Sequence, residues 1–277
     1  MKVFGIDFTS RPRRAKPIVC LPCSLEGDLL RASTPRSWSG FEGFEQALRR
    51  PGPWITGIDF PFGQPRRLVE NLGWPPSWPA YVRQAGSLGR DGFRAALDAY
   101  RADRPRGDKE HRRTTDIAAG AISPQKLYGV PVALMFLEGA PRLLDAGVTI
   151  PHLLEGDPGR IVVEAYPGML ARALIGRRSY KHDARRRQSP ELRRARREML
   201  EAILGGALRV THGLTVQAPV SLADDPTGDE LDALLCAVQA AWAWRQRARG
   251  FGAPASIDPL EGWIADPSLA QGRAADA

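Results

Sequence analysis

Cysteine, histidine and long apolar runs are all scarce in this chain, and each scarcity removes a class of protein. Three cysteines, Cys20, Cys23 and Cys236, in 277 residues are too few and too unevenly spaced for a disulfide framework. The chain enters strand-like sequence directly at Met1-Lys2-Val3 with no signal peptide, so a reducing, cytoplasmic setting is expected. Cys20-Leu21-Pro22-Cys23 is a single CxxC without a second pair. On a strand, residues three apart face opposite sides, so its thiols read as structural. His111, His152, His182 and His212 are scattered, with neither HxxxH nor triad spacing. No apolar run is long enough to span a bilayer, so no membrane partner is expected. There is no Walker A motif, and neither Ser10 nor Ser123 sits in a nucleophile elbow.

Hydrophobic residues make up 43% of the chain, enough for a sizeable core without staples. The net charge is +8, and its location matters more than its size. Between Arg177 and Arg197 ten basic residues stand against only Asp183 and Glu191, so this segment alone carries the whole net charge. Such a block suits a polyanionic partner, or it is a solvated helix face.

Val3 to Phe8, Pro17 to Pro22 and Asp28 to Ala32 read as three strands whose short connections favour an antiparallel meander. Gly40 to Arg50 reads as a helix with Phe41, Phe44 and Leu48 on one face. Trp54 to Phe60 is a fourth strand, and the intervening helix implies a crossover that sets it parallel to the first. Residues 61–159 form a mainly helical insertion, with helices over Tyr81 to Ala102 and Val132 to Asp145 and a polar stretch at 103–129. Trp74 and Trp78 could stack on bases or pack in a core. Arg160 to Ala165 is a fifth strand, followed by a helix from Met169. A basic helical segment covers 177–204, where Ser189 is an N-cap, Pro190 takes the first turn and Glu191 suits the positive helix end. Thr227-Gly228-Asp229-Glu230 has a capping-box pattern and opens a last helix running to about Arg249. Residues 1–266 are expected to form one domain and 267–277 a flexible tail.

Four acids interrupt apolar elements. Gly-Ile-Asp-Phe occurs twice, at Gly5-Ile6-Asp7-Phe8 and at Gly57-Ile58-Asp59-Phe60, each time with its Asp near the carboxy end of a strand. Ligands of open α/β sheets bind at such ends, and two adjacent carboxylates repel unless a cation lies between them. Glu164 interrupts Val162-Val163-Glu164-Ala165 in the same way, unless it is an edge-strand acid facing water. Asp232 lies on a helix that is apolar or small almost all round, so its carboxylate needs a partner. Asp229 lies one turn earlier and either joins it or complements the helix dipole. An oxygen-only donor set of this kind suits Mg²⁺ or Mn²⁺ rather than zinc.

These motifs resemble the RNase H-like superfamily, including the RuvC-type resolvases. The chain is more closely similar to domain of unknown function family four-two-nine, described as predicted nucleases of RNase H fold. The resemblance is carried by Gly5 to Thr9, Gly57 to Pro61, Val163 to Pro167 and Asp229 to Ala237, which span nearly the whole chain in order. It implies an α/β fold with a mixed five-stranded sheet flanked by helices. It also implies a metal-dependent nuclease using Asp7, Asp59, Glu164 and Asp232; the family usually has His where this chain has Asp229, a departure, though an acid there could also serve as a metal ligand. Two ions held by these acids would activate water and stabilise the leaving oxygen of a phosphodiester. Arg185, Arg186, Arg187, Arg193, Arg194 and Arg197 would hold the nucleic acid backbone. Arg113-Thr114-Thr115-Asp116 is also similar to a family element; Arg113, Asp116 and Lys126 are candidate substrate contacts. Two alternatives remain: an actin-like-fold ATPase or kinase, against which the single core and Phe8 count, and a non-catalytic nucleic-acid-binding protein.

Overall fold

The computed structural model describes residues 1–182 and 185–270, with the side chain of Arg185 outside the described residues. Strands β1 (Lys2–Asp7), β2 (Ile18–Glu26), β3 (Leu29–Ala32), β4 (Arg36–Trp38), β5 (Trp54–Ile58), β6 (Val148–Thr149), β7 (Asp157–Glu164) and β8 (Thr215–Gln217) form one mixed sheet. Its order is β6-β7-β5-β1-β2-β3-β8, with β4 paired to β2. The expected meander is present as antiparallel β1-β2-β3, and β5 lies parallel to both β1 and β7. The sheet has eight strands rather than five. The additions β4, β6 and β8 are two or three residues long, too short to leave a period-two signature.

Helices α1 (Glu42–Leu48), α2 (Arg66–Asn71), α3 (Trp78–Ser87), α4 (Gly89–Ala102), α5 (Thr114–Ala119) and α6 (Val132–Ala146) precede β7. Helices α7 (Pro167–Ile175), α8 (Pro190–Leu204), α9 (Leu208–His212), α10 (Asp229–Arg245) and α11 (Pro267–Ala270) follow it. The single helix expected over Tyr81 to Ala102 is broken, because Gly89 adopts φ +61° and turns the chain between α3 and α4. Residues 267–270 form α11, which corrects the expectation of a tail from 267; 271–277 lie outside the described residues. Among the described residues no helix is long and apolar enough to cross a membrane.

Each face of the sheet has its own core, as period-two alternation requires. Val3, Val19, Leu21, Ile55 and Val163 face α7, α8 and α10, whereas Ile6, Ile18, Ile58 and Val162 face the helices of residues 61–146. The inserted segment is therefore one of the two layers covering the sheet. Trp78 is buried there, its indole N–H donating to the Phe62 carbonyl at 2.7 Å, so it packs in the core and is not available for base stacking.

Helix α10 is buried without interruption from Leu231 to Ala243. It crosses β1 and β5 so closely that a Cβ on Gly5 would lie 1.8 Å from the Ala233 carbonyl oxygen, and one on Gly57 would lie 2.3 Å from that of Cys236. The paired glycines of the two Gly-Ile-Asp-Phe segments are opposite one another in register. They are the condition for this contact, since only Gly lets another backbone approach so near. The expected capping box at Thr227 does not form. The Thr227 hydroxyl instead donates to Asp225, whose carboxylate also accepts from the Glu230 N–H at 3.1 Å, so Asp225 caps α10 from outside the motif. The Ser189 cap of α8 is present, its hydroxyl accepting from the Leu192 N–H.

Candidate functional site

Asp7 is the last residue of β1 and Asp59 follows the last residue of β5. Both strands run in the same direction and are neighbours, so both carboxylates emerge at one end of the sheet. Each lies two residues beyond a glycine that touches α10; alternation turns Asp7 toward that helix, and Asp59, in the bend after β5, lies near enough to feel Asp232. Asp229 and Asp232 occupy the first turn of α10 and meet them there. Asp7 is raised well above the ordinary carboxyl range, first by burial and then by Asp229, Asp232 and Asp59, with Lys181 opposing. Asp59 is pushed up to about 7, by burial first and Asp232 next, again against Lys181. Among the described residues neither carboxylate accepts a hydrogen bond; Asp59 is half-buried, and the oxygens of both acids stay within reach of solvent, since none is among the buried polar atoms left without a partner.

The other two acids carry protein cations. Asp232 accepts from the Tyr180 hydroxyl at 2.6 Å and is salt-bridged by Lys181. Asp229 is salt-bridged by Lys16 at 2.7 Å. The partner that a buried Asp232 demands is thus supplied by the chain itself. Lys181 belongs to the basic segment and Lys16 to the turn between β1 and β2, and no spacing rule connects either of them to α10.

Glu164 lines a cavity together with Asp59 and helps to raise the Asp59 carboxyl, but it is held from another side. It is paired with Ile58 and, like Ile58, faces the layer of residues 61–146. There Arg113 grips it through two bonds of 2.7 and 2.5 Å, and the Phe62 N–H donates to it at 2.8 Å. The same guanidinium binds both oxygens of Asp116. Arg113 is only 1% exposed, so it is a buried tether between two carboxylates and its donors are committed. Burial raises the Glu164 carboxyl and the guanidinium opposes that. Lys126 is half-buried, its ammonium 5.1 Å from the Tyr128 ring centroid.

A cleft of about 430 Å³ opens over the two free carboxylates, lined also by Thr9, Ser10, Lys16, Lys181 and His182. Of the expected phosphate-gripping residues, Arg186, Arg187, Arg193, Arg194 and Arg197 are exposed. Arg187 reaches 3.4 Å from the His182 ring at the cleft edge, while Arg193 and Arg197 pair with Asp224. Arg196 differs from them. It is 3% exposed and donates to the carbonyls of Ala223 and Tyr180, so it braces the loop before α10.

The donor set fits a hard cation in part. Mg²⁺ is commonly held by one or two carboxylates, water and substrate phosphate, and Asp7 with Asp59 supply that number of uncommitted acids. Among the described residues no three His, Cys, Asp or Glu side chains are arranged to hold an ion, so Asp232, Asp229 and Glu164 would each first have to release a cation. No curated protein and no solved structure matches the chain. A family profile does match, over residues 5–256, and by that near-complete coverage the chain belongs to the family described as Protein of unknown function (DUF429).

Proposed function

We propose that this protein is a metal-dependent hydrolase of phosphodiester bonds in nucleic acid. The observation that carries the reading is the pair Asp7 and Asp59: adjacent at the carboxy ends of parallel strands, buried or half-buried, without hydrogen-bond donors, and flanked by Lys16 and Lys181. Two such carboxylates beside two ammonium groups suit a cation and a phosphate together. The central strands β3-β2-β1-β5-β7, three antiparallel and then parallel, have the arrangement expected of an RNase H-like core and support the reading.

Asp7 and Asp59 would hold Mg²⁺ or Mn²⁺, which supplies an activated water and charge stabilisation for the departing oxygen. Lys16 and Lys181 would neutralise the phosphate oxygens, and the arginines of the 185–197 stretch would hold flanking phosphates. Arg113 keeps Glu164 and Asp116 in place behind the site. The test is cleavage of labelled single-stranded, duplex and hybrid oligonucleotides with Mg²⁺ or Mn²⁺. Activity in the wild type and its loss in Asp7→Asn, with folding intact, is the expected result; no cleavage of any of them rejects hydrolysis. The salt bridges of Lys181 to Asp232 and of Lys16 to Asp229 favour a second reading, a nucleic-acid-binding protein that does not hydrolyse. Binding without cleavage across several divalent ions would select it.

A further inference from the structure

Two cavities meet at Asp59. The first is the charged cleft just described. The second, of about 240 Å³, is lined mainly by apolar side chains, among them Phe60, Pro61, Ile122, Met135 and Tyr166, with the Arg113, Asp116 and Glu164 cluster in its wall. Asp59, Val130 and Met135 line both, so the two form one trough with a charged half and an apolar half. The wall they share over Asp59 comes from residues 130–135, in the segment before and within α6.

We propose that this trough seats one unpaired nucleotide, its phosphate over Asp7, Asp59, Lys16 and Lys181 and its base in the apolar half. The inference rests on the phosphate-binding reading of the charged half and adds the substrate class. Three observations carry it. The halves differ in chemistry as the two ends of a nucleotide differ, and they meet at Asp59. The apolar half offers the half-buried Tyr166 ring with Pro61 and Ile122, surfaces on which a flat base can lie. Exposed apolar side chains also line this half: Ile122 and Val130 are 47% and 57% exposed. Tyr128, 64% exposed, precedes Gly129 of the charged half in sequence, a ring open to a neighbouring base. A paired base stays inside its duplex and cannot enter such a pocket without leaving the stack. The exposed Arg186 and Arg187 begin four residues beyond His182 at the charged end, which points to a strand as the source of the nucleotide.

The test is fluorescence anisotropy in Mg²⁺ with a labelled ten-nucleotide thymidine strand, an abasic backbone of the same length and charge, and a ten-base-pair duplex. Unlabelled thymidine 5′-monophosphate serves as competitor. The strand should bind at least about tenfold more tightly than the abasic backbone, within the range that base stacking on side chains gives. The duplex should bind no better than the abasic backbone. Ile122→Ser and Val130→Ser replace exposed side chains, so folding should survive. Each should reduce the strand's advantage; Ile122→Ser, at a residue that lines only the apolar half, should also leave abasic binding within about twofold. Competition by the mononucleotide as strong as by the strand would assign the seat to a free nucleotide; much weaker competition would assign it to a strand. Equal binding of strand and abasic backbone, or an undiminished advantage in both Ser variants, overturns the base pocket while the phosphate reading stands. If neither strand nor abasic backbone binds, the phosphate reading falls, and this inference with it.

Discussion

Asp59→Asn should stabilise the metal-free protein at alkaline pH. Burial and the neighbouring Asp232 raise the Asp59 carboxyl from 3.8 to about 7. A shift of about three units at 1.36 kcal/mol each amounts to about 4 kcal/mol for ionising it inside the fold. Asp59 is half-buried and lines an open cleft, and solvent screening there reduces the expected effect to about 2 kcal/mol. The folded-state value lies above the unfolded one, so the carboxyl's contribution to stability is complete below about pH 3.8 and is lost as pH rises through about 7. Wild type should therefore lose stability between pH 4 and 7 relative to the Asn variant, which does not ionise. Urea denaturation followed by circular dichroism, with chelator present, at pH 4, 6 and 8 measures the gap. It should be about 2 kcal/mol in favour of Asn at pH 8 and close toward pH 4. An Asn variant less stable than wild type at pH 8, or a gap that ignores pH, would mean that donors hold the carboxylate, and the argument for a cation between Asp7 and Asp59 would be lost.

Mg²⁺ or Mn²⁺ should raise the melting temperature of wild type by mass action, and Asp7→Asn should abolish that rise in thermal denaturation. Arg113→Met strands Asp116 and Glu164 as buried charges and should cost about 3–5 kcal/mol in urea denaturation, with the defect shrinking at acid pH as Glu164, raised by burial, takes up a proton; a loss under about 1 kcal/mol would show that the tether is not structural. Gly5→Ala drives a methyl into the Ala233 carbonyl of α10 and should cost more than about 4 kcal/mol or prevent folding, read as loss of soluble protein or of cooperative unfolding. Replacing Arg186, Arg187, Arg193, Arg194 and Arg197 with Gln should flatten the salt dependence of oligonucleotide binding and leave stability unchanged, whereas Arg196→Gln alone should destabilise, because Arg196 holds the loop before α10.

Much of the scaffold was readable because its signals are local. The meander, the crossover to β5, the N-cap at Ser189 and the all-round apolar α10 each follow from neighbours within a few residues. What escaped had no such signal. The strands β4, β6 and β8 are too short to show a period, Asp225 caps α10 from outside the expected motif, and Gly89 breaks a helix through a positive φ that composition does not reveal. The two Gly-Ile-Asp-Phe segments drew attention for their acids, yet their glycines matter as much, since they admit the helix that brings Asp232 to Asp7 and Asp59.

By itself the sequence determined that acids end several apolar strands and that one lies in a buried helix, because the cost of a lone buried charge makes such residues conspicuous. Only the tertiary structure decided which way each one faces and what answers its charge. Asp7 and Asp59 come close to Asp232 of α10, whereas Glu164 is gripped by Arg113 from the layer of residues 61–146. Arg113, Lys181 and Lys16 come from segments 51, 51 and 213 residues away from Glu164, Asp232 and Asp229 to neutralise them. Pairings over such distances depend on how the layers pack, so Asp7 and Asp59 are left as the uncommitted pair by the fold as a whole.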